Sequence, residues 1–237
     1  MPIFFSPLFW ILALPGLVLG LIAQSRVKGA FNKYSKVRTH RNVTGAQVAR
    51  ALLDAQGLYD VTIERTQGNL SDHYDPRSKV LRLSTAVHDE PSVAAAGVAA
   101  HEMGHALQDA SGYAALNLRS ALVPAANFGS SLAPLIFMAG LFLDVFVQGT
   151  GLGYYISLFG VLLFGVAVLF TLITLPVEFD ASKRAKQLLV SNGILFDDEM
   201  QGVNKVLDAA ALTYVAAAVA AIGQLLYYVA LLGGRRD

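Results

Sequence analysis

Residues 93–105 read Val-Ala-Ala-Ala-Gly-Val-Ala-Ala-His-Glu-Met-Gly-His. The apolar part before the first histidine is far shorter than the roughly 20 residues that cross a bilayer, so it predicts a buried core helix. Positions four apart share one face of a helix, so His101 and His105 can direct two imidazoles at one Zn²⁺. Glu102 lies one position further round, where it can take a proton from a water at the open coordination position. The spacing therefore predicts a hydrolytic zinc site.

The composition indicates a membrane protein. Apolar residues make up 54% of the 237 residues, charged residues only 15%, and mean hydropathy is +0.50. Soluble domains usually carry about 25% charged residues. The net charge of +1 gives no field that would attract nucleic acid. There is no cysteine, so a metal ion has to be held by His, Asp or Glu.

Four apolar segments are long enough to cross a bilayer, at residues 3–22, 124–147, 154–176 and 209–232. No Lys or Arg precedes the first segment, which favours an uncleaved anchor over a signal peptide. The Gly-rich residues 148–153 predict a hairpin between the second and third segments.

The membrane topology follows from this hairpin. Residues 23–121 and 177–208 share one face of the membrane, and both termini share the other. Residues 23–53 hold seven Lys and Arg and no acidic residue. The positive-inside bias therefore predicts that the shared face is cytoplasmic, with the basic segment against anionic lipid. Arg235 and Arg236 argue mildly for the opposite orientation.

Outside the spans, the pattern predicts two helices. One covers residues 43–57, with Thr44 as its cap and Gln47 at the capping-box position. The other starts near residues 90–92, with Pro91 at the first helical position, carries the histidine pair and ends near Gly112.

The pattern also predicts a small sheet of two or three strands, with strands at 58–63 and 79–84 and polar turns at 68–69 and 72–76. Residues 79–84 alternate as a half-buried strand does. Its free edge is available to an extended peptide, although ordinary core packing explains the strand equally well.

A catalytic zinc site needs a third protein ligand. Two acids follow the third span, Glu178 and Asp180. They point about 200° apart on a helix, so only one of them can bind the ion directly. Glu178 is equally well explained as a first-turn acid favoured by the helix dipole. Of the other histidines, His73 lies in a polar turn beside a predicted strand, whereas His40 and His88 are expected at the surface.

Three stretches, at residues 69–76, 101–108 and 178–185, resemble the YugP-like family of bacterial membrane zinc metallopeptidases. The family is distantly similar to the HtpX and prenyl-protein (CAAX) endopeptidases. The resemblance implies one Zn²⁺ per chain and makes Glu178 the third ligand, as in gluzincins. The distant relatives carry Asp where this chain has Ser182. Asp180 is therefore a candidate for the carboxylate that orients a ligand histidine.

We accordingly predict a mainly α, multi-pass membrane protein with about four transmembrane helices and a small α+β zincin-like metallopeptidase domain. The predicted division has five parts. These are an anchor (residues 1–22), a soluble zincin-like part with the motif helix (23–120), a membrane hairpin (121–177), a segment with the third ligand (178–208), and a last span with its tail (209–237).

The predicted function is a membrane-bound zinc metalloendopeptidase that cleaves peptides or proteins, membrane proteins among them, near the cytoplasmic surface of the cell membrane. His73, Tyr74 and Arg184 are candidates for hydrogen bonds to the substrate or the oxyanion. The alternative is a non-catalytic membrane scaffold in which zinc is structural. A structural site takes four protein ligands, so a fourth ligand such as His73 would distinguish the two. The sequence indicates no nucleic-acid partner and no oligomeric state.

Overall fold

A computed structural model describes residues 6–68, 70–147 and 151–234. The protein is mainly α with one small sheet, as predicted. In chain order the elements are α1 (Pro7–Tyr34), α2 (Gly45–Ala55), β1 (Thr62–Thr66), β2 (His73–Asp75), β3 (Val80–Ser84), α3 (Thr85–His88), α4 (Val93–Ala110), α5 (Ala114–Phe146), α6 (Leu152–Ser191) and α7 (Asp197–Gly233).

Within the described residues, four helices, α1, α5, α6 and α7, are long and apolar enough to cross a membrane, which confirms the four predicted spans. Each helix extends beyond its predicted span. In particular, α6 passes through Pro176 and continues to Ser191. Part of the predicted hairpin turn, residues 148–150, lies outside the described residues. The same is true of residues 3–5 of the predicted anchor and of Arg235 and Arg236.

The chain packs as two compact units. The first is drawn from residues 1–22, 118–175 and 213–237, and the second from residues 23–117 and 176–212. Both contain parts of the four long helices.

In the first unit, α5 and α6 approach each other closely at small residues. A Cβ on Gly140 would lie 2.4 Å from Ser157 Oγ, so no larger side chain fits there. Ser157 Oγ donates a hydrogen bond of 3.2 Å to the Phe137 carbonyl, and the Phe137 ring stacks on Tyr228 with centroids 4.2 Å apart. Lipid supplies no hydrophobic drive between helices, so close packing of this kind holds them together.

The second unit contains the sheet, whose strand order is β1-β3-β2. The predicted strand at 79–84 is present as β3, but it is the central strand, parallel to β1 and antiparallel to β2. The expected half-burial and free edge of this strand are therefore wrong. Leu81 and Leu83 are fully buried on one face, Val80 and Ser84 are buried on the other, and both edges are paired.

The predicted strand at 58–63 lies too early in the chain, because β1 covers Thr62–Thr66. The Arg50 guanidinium donates hydrogen bonds of 3.0 Å and 2.8 Å to the carbonyls of Leu58 and Val61. These bonds hold the apolar segment after α2 as a turn rather than as a strand.

The predicted turn at 72–76 contains the short edge strand β2 (His73–Asp75). Its polar residues resemble a turn in composition, and only the pairing with β3 makes them a strand. The four-residue helix α3 after β3 was not predicted.

Helix α2 has the predicted capping box. The Gln47 N–H donates to Thr44 Oγ1 at 3.3 Å, and the Thr44 N–H donates to Gln47 Oε1 at 2.9 Å. The start of α4 differs from the prediction. Ser92 is its N-cap and accepts a hydrogen bond of 3.1 Å from the Ala95 N–H, so Pro91 lies outside the helix.

Candidate metal centre

Helix α4 presents the two motif histidines on one face. His101 and His105 are 9% and 8% exposed, and their ring centroids lie 4.8 Å apart. Glu102, the next position along, is also 9% exposed. The helix is held by a core that includes the fully buried Met103. These side chains therefore meet in a nearly dry environment, where electrostatic interactions are strong.

Helix α6 brings a carboxylate to the histidine pair. Glu178 Oε2 lies 3.2 Å from His101 Nε2 and 3.5 Å from His105 Nε2, and the side chain is 2% exposed. The three ligand atoms all lie within 4.8 Å of one another. Of the two acids that the sequence left open, Glu178 is the one that the fold places against both imidazoles.

The donor set fits a zinc ion. Tetrahedral ligands about 2.0–2.2 Å from zinc lie about 3.3–3.6 Å from one another, close to the two nitrogen–oxygen distances in this site. The charge also fits. Burial lowers the pKa of His105, but its hydrogen bond to Glu178 and the nearby Glu102 charge outweigh burial and raise that pKa. The site therefore favours positive charge.

A close crossing of α4 and α6 makes this arrangement possible. A Cβ added at Gly104 would lie 2.6 Å from the carbonyl oxygen of Ala181, itself fully buried. Glycine lets the two backbones touch at this point. Glu178 and Ser182, four apart on α6, then face the histidine pair of α4.

The second ring nitrogen of each histidine has its own partner. His101 Nδ1 lies 3.1 Å from Ser182 Oγ, and His105 Nδ1 lies 3.0 Å from Gln108 Oε1. Such partners fix the orientation of a ligand imidazole. Ser182 is thus the partner of His101 in this chain.

Gln108 was not predicted as a site residue, although it is fully buried and hydrogen-bonded to His105. A sequence signal exists, because the residue three positions after a histidine shares its helix face. Glutamine is nevertheless common on exposed helix faces, so the signal is weak.

Asp180 and Arg184 lie beside the histidine pair without contacting it. Asp180 Oδ2 accepts hydrogen bonds from Gln108 Nε2 at 2.9 Å and from Arg184 Nε at 2.5 Å. Asp180 is therefore linked to His105 only indirectly, through the hydrogen bonds of Gln108.

His73 and Tyr74 lie on β2. His73 is exposed and its Nδ1 lies 2.8 Å from the Ser71 carbonyl oxygen. Among the described residues, it does not belong to the His101–His105–Glu178 group. The Tyr74 hydroxyl donates a 2.8 Å hydrogen bond to Asp109, and burial together with this bond raises the pKa of Tyr74. Tyr74 therefore remains protonated and ties β2 to the end of α4.

A second cluster, His40, Asp198 and Glu199, also has the residue types of a metal site. The Glu199 carboxylate of this cluster already has another role. Glu199 accepts 2.8 Å hydrogen bonds from the backbone N–H groups of His40 and Phe196, one at each oxygen. The cluster is best explained as a link between the start of α7 and the segment after α1.

Comparison with known proteins shows the family to which the chain belongs. Residues 9–233 match the family described as "Putative neutral zinc metallopeptidase", and the chain belongs to this family. The chain is 50% identical over 230 residues to the "Putative membrane protease YugP" of Bacillus subtilis (strain 168), covering 97% of this chain and 99% of that protein. No solved structure matches the chain.

The close crossing predicts that Gly104→Ala weakens metal binding. The added methyl group forces α6 away from α4, so zinc affinity should fall about tenfold or more. Gly97→Ala in the same helix is the control, because the nearest atoms to its Cβ all belong to Val203, the closest being a side-chain methyl group at 3.3 Å, and no backbone carbonyl blocks it. Zinc affinity of the purified proteins, measured by competition with a chelator, checks this. Equal affinity for Gly104→Ala and the wild type would contradict the role of the crossing.

Proposed function

We propose that this protein is a membrane-bound zinc metalloendopeptidase of the gluzincin type, which hydrolyses peptide bonds near the membrane surface. The observation that carries the proposal is the meeting of His101, His105 and Glu178 at ligand spacing, with Glu102 next to them on α4. The Nε2 atoms of the two histidines and the Glu178 carboxylate would hold one zinc ion per chain.

Zinc at this position would supply Lewis-acid chemistry, namely a lowered pKa for a water molecule and a polarised scissile carbonyl. The protein supplies the proton transfer. The Glu102 carboxylate accepts the proton of the attacking water and delivers it to the nitrogen of the leaving amine. Its burial keeps bulk water from competing for this proton.

The substrate in this proposal is a peptide or protein segment, membrane proteins among them. Because β3 is central, an extended peptide has to pair with an outer strand of the sheet. The edge strand β2 is the better candidate, since Tyr74 ties it to the end of α4. The exposed His73 on this strand remains a candidate for contacting the substrate. The hydroxyl of Tyr74 and the Nε of Arg184 already bond to carboxylates.

The alternative, a scaffold stabilised by zinc, fits the site less well. A structural zinc site uses four protein ligands, whereas a catalytic one keeps a position open. Within the described residues, the group around His101 offers three ligand atoms. The acid at Glu102 also has no purpose in a structural site.

We also propose that the bilayer is the protein's permanent partner and that the active site lies on the cytoplasmic face. The basic residues 23–53 support this orientation, because such segments are retained on the cytoplasmic side, where they can contact anionic lipid.

Glu102→Gln should abolish peptide cleavage and leave zinc binding intact, because the amide keeps the shape of the side chain but cannot accept the proton. We expect a loss of about a hundredfold or more. The measurement compares cleavage of a degenerate peptide library by wild-type and variant proteins with equal zinc content. Equal cleavage by the two proteins, or no cleavage by either over many substrates, would favour the scaffold.

The orientation can be tested without background labelling, because the chain contains no cysteine. Tyr59→Cys replaces a side chain that is 74% exposed in the second unit. An impermeant thiol reagent should label it only after the cells are permeabilised. Leu152→Cys, at the start of α6, is the matched control and should be labelled in intact cells. The reverse pattern would place the active site outside the cytoplasm.

A further inference from the structure

We infer that Gln108, Asp180 and Arg184 form a hydrogen-bonded chain that locks His105 in its metal-binding tautomer. Asp180 and Arg184 are then positioning residues, which act on the metal centre through Gln108. The inference rests on the metal site of the proposed function. It adds two residues to that site, and their effect can be measured directly as a change in metal affinity.

The hydrogen bonds of Gln108 determine how its amide is oriented. The side chain has two N–H groups and one oxygen. Nε2 lies 2.8 Å from the Val177 carbonyl oxygen and 2.9 Å from Asp180 Oδ2, and both of these atoms are acceptors. Both N–H groups are thereby used. Oε1 is left to face His105 Nδ1 at 3.0 Å.

The opposite orientation of the amide is strongly disfavoured. It would place Oε1 against the Val177 carbonyl and the Asp180 carboxylate, which are two contacts between acceptors. The side chain is fully buried, so water cannot relieve such contacts. Asp180 is therefore one of the two acceptors that fix the orientation of the Gln108 amide, and the Val177 carbonyl is the other.

The consequence for His105 follows from the bond itself. An amide oxygen can only accept, so the proton of the neutral imidazole lies on Nδ1 and the lone pair lies on Nε2. Nε2 is the atom that faces Glu178. Ser182 does not fix the tautomer of His101 in the same way, because a hydroxyl group can either donate or accept a hydrogen bond.

Arg184 extends the chain to the protein surface. Its Nε donates to the same Asp180 oxygen that accepts from Gln108, and so holds that carboxylate in place. Asp180 and Arg184 line an open groove of about 290 Å³, together with Leu107, Lys183, Gln187 and Leu188. Three successive hydrogen bonds thus connect Arg184, at the groove, to the buried His105.

The test compares zinc affinities of the purified full chain, measured by chelator competition for single and double variants. Gln108→Leu should weaken zinc binding by about 10- to 100-fold, the range for partners of a ligand histidine. Asp180→Ala should weaken it several-fold, because Val177 still holds one N–H of the amide. Arg184→Met should have a smaller effect in the same direction. Lys183→Met is the control, since Lys183 lines the same groove, and should not change the affinity.

The double variants show whether Asp180 affects zinc affinity through its hydrogen bond to Gln108 or through its negative charge alone. If Asp180 acts through Gln108, Asp180→Ala should add almost nothing in the Gln108→Leu protein. Asp180→Asn should retain most of the affinity, because its amide oxygen still accepts from Gln108. An Asp180→Ala loss that is equally large with and without Gln108 would overturn the inference.

Cobalt substitution gives a second readout. The ligand-field bands of Co²⁺ should change in Gln108→Leu and Asp180→Ala but not in Lys183→Met. Identical spectra and affinities in all variants, with peptide cleavage retained by the wild type, would overturn the inference and leave the proposed function standing. A wild type that binds no zinc would overturn both.

Discussion

The candidate metal centre depends on one close contact between two helices, the crossing of α4 and α6 at Gly104 and Ala181. The histidine pair on α4 follows from local helix geometry alone. A site requires a third donor, and the chain supplies it 73 residues after His105, on another helix. Only backbones in direct contact bring Glu178 within 3.2–3.5 Å of both imidazoles. The glycine between the two histidines is what allows the two backbones to approach this closely.

The two histidines are supported in different ways. His101 has a hydroxyl partner, whereas His105 has a buried amide whose own orientation is fixed by two acceptors. Asp180, the candidate for a carboxylate that orients a ligand histidine, reaches His105 only through Gln108. Negative charge near the histidine pair is thereby kept half-buried and paired with Arg184. This arrangement avoids burying an unpaired carboxylate, which would be costly.

Features set by local pattern were predictable from the sequence. The four spans follow from length and hydropathy, and the α2 cap follows from Thr44 and Gln47. The features that were missed depend on contacts between distant residues. Polar β2 is a strand only because it pairs with β3, and β3 is central only because both neighbours pair with it. Gln108 is a site residue because Val177 and Asp180 meet it from α6. Glu178 was chosen as the third ligand because of the family resemblance. The residue pattern alone explained it equally well as a first-turn acid favoured by the helix dipole.

The most direct test is to locate the metal in crystals of the zinc-loaded protein by anomalous diffraction at the zinc edge. We predict one peak per chain, about 2.0–2.2 Å from His101 Nε2, His105 Nε2 and a Glu178 oxygen. A peak that is bound by the histidines but not by Glu178 would contradict this account, as would a peak at His40, Asp198 and Glu199.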